Sequence, residues 1–153
     1  MYEKYTIREK YGTLTVMLKH LRTRFPLVFG LFILLVGIFI GERFGLYYRF
    51  AHFDKVMHIL GGLAVAWMVM SILQNDISRM SMAKQAMIII SVTCMVGVLW
   101  EFAEYLSNFT RYSYPWWYHY YHGGDLADTL GDLIADIGGA VLFSAWALWK
   151  ERS

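Results

Sequence analysis

Cysteine is nearly absent from this 153-residue chain. Cys94 stands alone, so no intramolecular disulfide can form, and its place inside an apolar run reads as a small packing residue rather than a reactive thiol. Charge is scarce as well: 17% of the residues are Asp, Glu, Lys or Arg, against about a quarter in an average soluble domain. A net charge of +2 gives no reason to expect a nucleic-acid partner. The chain has no glycine-rich nucleotide loop, no serine nucleophile elbow and no zinc-protease helix motif, which excludes the reaction classes that depend on them. Internal repeats and low-complexity tracts are also missing.

What fills the space is apolar. Hydrophobic residues make up 58% of the chain and aromatic residues 18%, gathered into runs long enough to cross a bilayer. The pattern predicts an all-α membrane protein, a bundle of four transmembrane helices with spans at about 25–41, 54–73, 85–106 and 125–149. Pro26 sits at the start of the first span, where its missing N–H costs nothing. Residues 1–24 are basic, with Leu14, Met17, Leu18, Leu21 and Phe25 at helical spacing, and predict an amphipathic segment on the inner membrane surface. That basic stretch, and the Gly41-Glu42-Arg43-Phe44 that follows the first run, argue for a retained helix over a cleaved signal peptide. Asp54 is the expected N-cap of the second span and Asp125 that of the fourth. Residues 150–153 form a short tail.

Lys and Arg counts set the orientation. With the N-terminus inside, the cytoplasmic segments hold Lys4, Arg8, Lys10, Lys19, Arg22, Arg24, Arg79, Lys84, Lys150 and Arg152. The outer side holds Arg43, Arg49, Lys55 and Arg111. Both termini are therefore expected in the cytoplasm, in the inner (plasma) membrane of the cell.

An ionisable side chain inside a span is costly and needs a reason. His58 falls four residues after Asp54, about 6 Å below the outer interface at 1.5 Å per residue. Glu101 and Glu104 close the third span, and Asp128 and Asp132 open the fourth, so the topology gathers them on the extracytoplasmic side. Asp128, Asp132 and Asp136 recur every fourth residue and form one acidic stripe, which a proton, a basic partner or a cation must neutralise. Histidine with carboxylates suits Zn²⁺ or Mn²⁺, and carboxylates with water suit Mg²⁺. The candidate divalent-metal site is His58, Glu101, Asp128 and Asp132, with Glu104 as a further ligand or a neighbour of the ligands, and Glu101 or Glu104 as general base. Asp54, Lys55 and Asp136 complete a polar network, Asp136 lying about 12 Å along the helix from Asp128. Lys55 or Arg111 could equally pair with Asp128 and Asp132 for packing alone. Gly61, Gly62, Ala64 and Ala66 in the second span, with Gly138, Gly139 and Ala140 in the fourth, permit close helix approach, within one chain or between two. The aromatic loop 112–121, with Trp116, Trp117 and His119, is an interfacial belt that could roof the site and face a substrate.

The segments FDKVMHILGGLAVA, WEFAEYL and DLADTLGDLIADIGGAV resemble the VanZ-like and YjdF-like small bacterial membrane proteins. The resemblance covers about residues 53–141 and rests on Asp54, Lys55, His58, Glu101, Asp128 and Asp132. It implies a polytopic inner-membrane protein. Most of these proteins have no assigned biochemistry; VanZ itself is associated with lowered susceptibility to teicoplanin, which acts at the outer face of the membrane. This chain departs in Asp136, where related chains often carry Asn, and in its long aromatic loop. A second likeness, Gly124-x3-Asp128-x3-Asp132, matches half of the CDP-alcohol phosphotransferase signature; the upstream half is absent, so that activity is excluded.

Three functions remain open: a site, metal-assisted or not, acting on or binding a lipid-linked or cell-envelope molecule; a proton- or cation-linked transport or binding module; and a structural membrane protein whose polar cluster only locks its helices.

Overall fold

The computed structural model describes residues 24–41, 43–109 and 126–150. Within them lie five helices and no strand: α1 (Arg24–Gly41), α2 (Leu46–Arg49), α3 (Phe53–Ile77), α4 (Met82–Phe109) and α5 (Leu126–Lys150). Four of these are long and apolar enough to cross a membrane: Arg24–Gly41, Phe53–Ile77, Met82–Leu106 and Leu126–Lys150. The expected basic segment upstream of Arg24, Asp125, the aromatic loop with Trp116, Trp117 and His119, and the tail 151–153 lie outside the described residues.

Polarity is arranged for lipid rather than water. Leu99, Phe102, Ile134 and Leu142 point outwards and are exposed, whereas His58, Asp132 and Asp136 are buried. A water-soluble bundle reverses that distribution, because burying carboxylates while wetting leucine and phenylalanine is unfavourable on both counts. In hydrocarbon the same arrangement is the stable one.

The helices α3 and α5 form the most extensive contact of the bundle, and α4 packs across both. Their backbones meet at two glycines. A Cβ on Gly62 would run into the backbone carbonyl of Asp136, and one on Gly139 into the carbonyl of Ile59. Ala66 and Ala140, fully buried, continue the seam. Small residues at a helix crossing allow van der Waals contact between backbones, which drives association where lipid removes the hydrophobic incentive. Below the seam Val69, Ile77, Ile89, Phe143 and Ala147 make an apolar core. Phe143 stacks against Trp67 with ring centroids 6.4 Å apart.

Two local features differ from the sequence expectation. His52, not Asp54, is the N-cap of α3, and it makes no side-chain capping bond. Asp54 lies in the first turn, where an anion still gains from the positive helix end, and its carboxylate turns to Lys55 and His58 instead. The polar linker between the second and third spans is also shorter than its composition implies. Gln74–Ile77 continue α3 and Met82–Lys84 already belong to α4, because water at the interface lets polar side chains ride on helical turns. The buried Gln85 side chain donates to the Met80 carbonyl at 3.0 Å and secures the short turn.

Candidate functional site

Lys55, in the first turn of α3, is the centre of the polar end. Its ammonium donates to Asp128 Oδ1 at 2.5 Å, to Asp132 Oδ1 at 2.7 Å and to the Asp128 carbonyl at 3.3 Å, and lies 3.5 Å from Asp54 Oδ2. One cation thus answers three carboxylates from two helices. Close approach makes this possible: the lysine stem crosses α5 at Gly131, where a Cβ would stand 3.1 Å from Lys55 Cε.

His58 takes over one turn deeper. Its Nε2 lies 3.6 Å from Asp132 Oδ1, the same oxygen that Lys55 holds, and 3.9 Å from Asp54 Oδ1. Its Nδ1 faces Asp136 Oδ1 at 3.4 Å. The result is a string of alternating sign, Asp128–Lys55–Asp132–His58–Asp136, running from the partly exposed rim to a carboxylate whose side chain is 9% exposed. The acidic stripe of α5 and the basic residues of α3 interleave like the teeth of two combs. Below Asp136 the charged string stops: Ala140, Phe143 and Ala147 on the same side belong to the apolar core, with the buried Ser144 hydroxyl among them.

On α4 the two glutamates part company. Glu104 Oε1 accepts a hydrogen bond from the indole N–H of Trp100 at 2.7 Å, an i,i+4 pair that fixes the tryptophan ring. Glu101 lies beside the Thr129 side chain of α5, and its Oε1 is buried with no hydrogen-bond partner among the described residues.

Beside the string lies a cavity of about 300 Å³ walled mainly by α1, α3 and α4, with Tyr47 of α2 and Asp136 of α5 also in its lining. His58, Asp136 and Trp100 line it together with Gly30, Val65 and Val96. Leu27 and Leu31, which also line it, are 48% and 50% exposed on the outside of the bundle, so the cavity has a side towards lipid. Apart from Thr93 and Tyr47 the remaining walls are apolar, as in most small-molecule sites. Asp136 Oδ2 lies against Gly97 of α4, where a Cβ would stand only 2.5 Å from it. Nothing polar in α1 announces this cavity in the sequence. The i,i+4 spacing of Trp100 and Glu104 is the one readable trace of it.

Asp54, His58 and Asp132 each offer one ligand atom within 4.8 Å of the others and could hold a metal ion. Asp128 and Glu101, the other two candidate ligands, sit on Lys55 and beside Thr129 respectively. A cation at this trio would share the Asp132 carboxylate with the Lys55 ammonium, which holds its Oδ1 at 2.7 Å.

The family described as predicted membrane protein (DUF2238) matches residues 11–153. The chain belongs to this family. The match runs through all four candidate spans and the whole polar string, so the site lies within the DUF2238 region. No curated protein and no solved structure matches this DUF2238 chain.

Proposed function

We propose that this DUF2238 protein is a VanZ- and YjdF-like multi-pass protein of the inner membrane that binds an amphiphilic cell-envelope or lipid-linked molecule at the outer end of its bundle. The observation that carries this reading is the cavity of about 300 Å³ with His58 and Asp136 in its wall and exposed Leu27 and Leu31 at its lipid side. A tail enters from the bilayer between α1 and α4, and a polar head reaches the end of the string. The halt of that string at Asp136, above a packed apolar core, favours a binding site over a path through the membrane. Should a reaction follow, Glu101 is the group with a buried, unpartnered oxygen to act as base. Glu104 holds Trp100 in the cavity wall.

Gly30→Phe tests the reading, since the helix surface there has only an ordinary contact to Ala64 at 3.6 Å and faces the cavity. Wild-type protein extracted in a mild neutral detergent is expected to carry about one bound amphiphile by native mass spectrometry, and the folded variant to lose it. Equal retention by both proteins would contradict the reading.

A second reading has its own observation, the Asp54, His58 and Asp132 trio. Zn²⁺, Mn²⁺ or Mg²⁺ held there would polarise a phosphoryl or carbonyl oxygen. Lys55 competes for the same carboxylate, so Lys55→Gln should raise divalent-metal affinity by about tenfold or more. Metal content by mass spectrometry that is equally low in both proteins would dismiss the metal.

A further inference from the structure

Donors and acceptors around the cavity are unequal in number, and that inequality has consequences for the head of the ligand. Among the described residues, the polar end gathers six carboxylates, Asp54, Asp128, Asp132, Asp136, Glu101 and Glu104, against two bases, Lys55 and His58, and of these Asp136 and His58 line the cavity. Both bases are committed. The Lys55 ammonium is surrounded by Asp54, Asp128 and Asp132. Each ring nitrogen of His58 faces a carboxylate, Nε2 towards Asp132 and Nδ1 towards Asp136. An anionic head entering the cavity would therefore meet the Asp136 carboxylate, with both of the bases described at this end already facing carboxylates. A cationic head would meet that carboxylate in a low-dielectric wall, with the rings of Trp100 and Tyr47 lining the same space.

We infer that the cavity selects an amphiphilic organic cation, a positively charged nitrogen on an apolar tail, with Asp136 as counter-ion and Trp100 and Tyr47 as aromatic walls. This rests on the amphiphile reading of the cavity and narrows it. The geometry divides the work. Glu104 orients Trp100 through the 2.7 Å indole bond, Gly97 leaves the Asp136 carboxylate room beside α4, and α1 supplies the apolar side that accepts the tail. The excess of acid over the two bases is what such a ligand neutralises, which ties selectivity to charge rather than to tail shape.

The test is equilibrium dialysis of the full chain in dodecyl maltoside against decyltrimethylammonium, decyl sulfate and decanol. Decyltrimethylammonium is expected to bind about tenfold or more tightly than the other two. Asp136→Asn should reduce that advantage to about threefold or less while decanol still binds. Should Asp136→Asn not fold, as judged by circular dichroism and gel filtration, Trp100→Leu serves instead. It should weaken the cation by about threefold or more and leave decanol nearly unchanged. Phosphatidylethanolamine added to the micelles distinguishes the sources: competition marks a lipid amine as the ligand, and no competition marks a freely diffusing amphiphile. Decyl sulfate or decanol binding as tightly as the cation would overturn the inference and leave the amphiphile site standing. A folded Asp136→Asn that keeps the full preference would overturn it too. Failure of all three probes to bind would instead overturn the amphiphile reading itself.

Discussion

Lys55 is the residue on which the polar end depends. Its ammonium lies between carboxylates of α3 and α5, with a side chain 30% exposed while that of Asp132 is 3% exposed. Removing it leaves three acids with His58 as the base still facing two of them, and Asp132 is too buried for water to replace the lost ammonium fully. Lys55→Ala is therefore predicted to cost about 2–4 kcal/mol, below the full cost of a deeply buried pair because the lysine keeps some solvent. Adding Asp128→Asn and Asp132→Asn to that variant should restore much of the loss, since the charges that needed an answer are gone. Thermal unfolding in detergent reads both; a single variant as stable as wild type would refute the central role given to Lys55. At this scale the sequence was partly legible. The four-residue spacing of Asp128, Asp132 and Asp136 requires a neutralising partner, and Lys55 and His58 are the bases at matching depth. Which oxygen meets which nitrogen depends on the rotation of α3 against α5, and spacing along one helix carries no such information.

Among the elements, the crossing of α3 and α5 sets the register of the string. Gly62 opposite the Asp136 backbone and Gly139 opposite Ile59 bring the two helices close enough for His58 to reach both Asp132 and Asp136. Adjacent glycines should behave in opposite ways. Gly139→Ala forces a methyl group against backbone and should destabilise by about 1–3 kcal/mol or more. Gly138→Ala, with nothing within 4 Å, should be neutral or stabilising by up to about 1 kcal/mol, because alanine is the better helix former. Matched melting curves decide it, and equal effects would mean that the seam is elsewhere. The small residues of both spans pointed to this contact from sequence alone, because close approach tolerates few other side chains. The cavity was not legible in the same way. The run 25–41 is apolar throughout, so no contrast in polarity distinguishes the face towards the cavity, with Gly30 and Leu34, from the rest. Helix ends were also set by hydrogen bonding rather than hydropathy, which is why α3 and α4 run past the apolar runs that define them.

For the whole molecule, four long apolar helices with an outside of leucine and phenylalanine and an inside of charge fit a bilayer and no other solvent. This much was readable from the length and composition of the runs. Orientation follows from the ten Lys and Arg residues placed on one side against four on the other, which predicts both termini in the cytoplasm. Reporter fusions at each end are expected to be active only for a cytoplasmic location, and opposite results at the two termini would contradict an even number of crossings. With that proposed orientation the string and cavity would face the envelope, within reach of molecules that the outer leaflet carries. The central claim is that an amphiphile lies between α1, α3 and α4 with its head at His58 and Asp136. Photo-crosslinking with a diazirine-bearing alkyl amine, followed by peptide mapping, tests it most directly. Labels concentrated on Leu31, Val65, Met68 and Val96, and displaced by unlabelled amine, are the predicted result. Labels confined to outward residues such as Leu99 and Ile134, with no displacement, would contradict it.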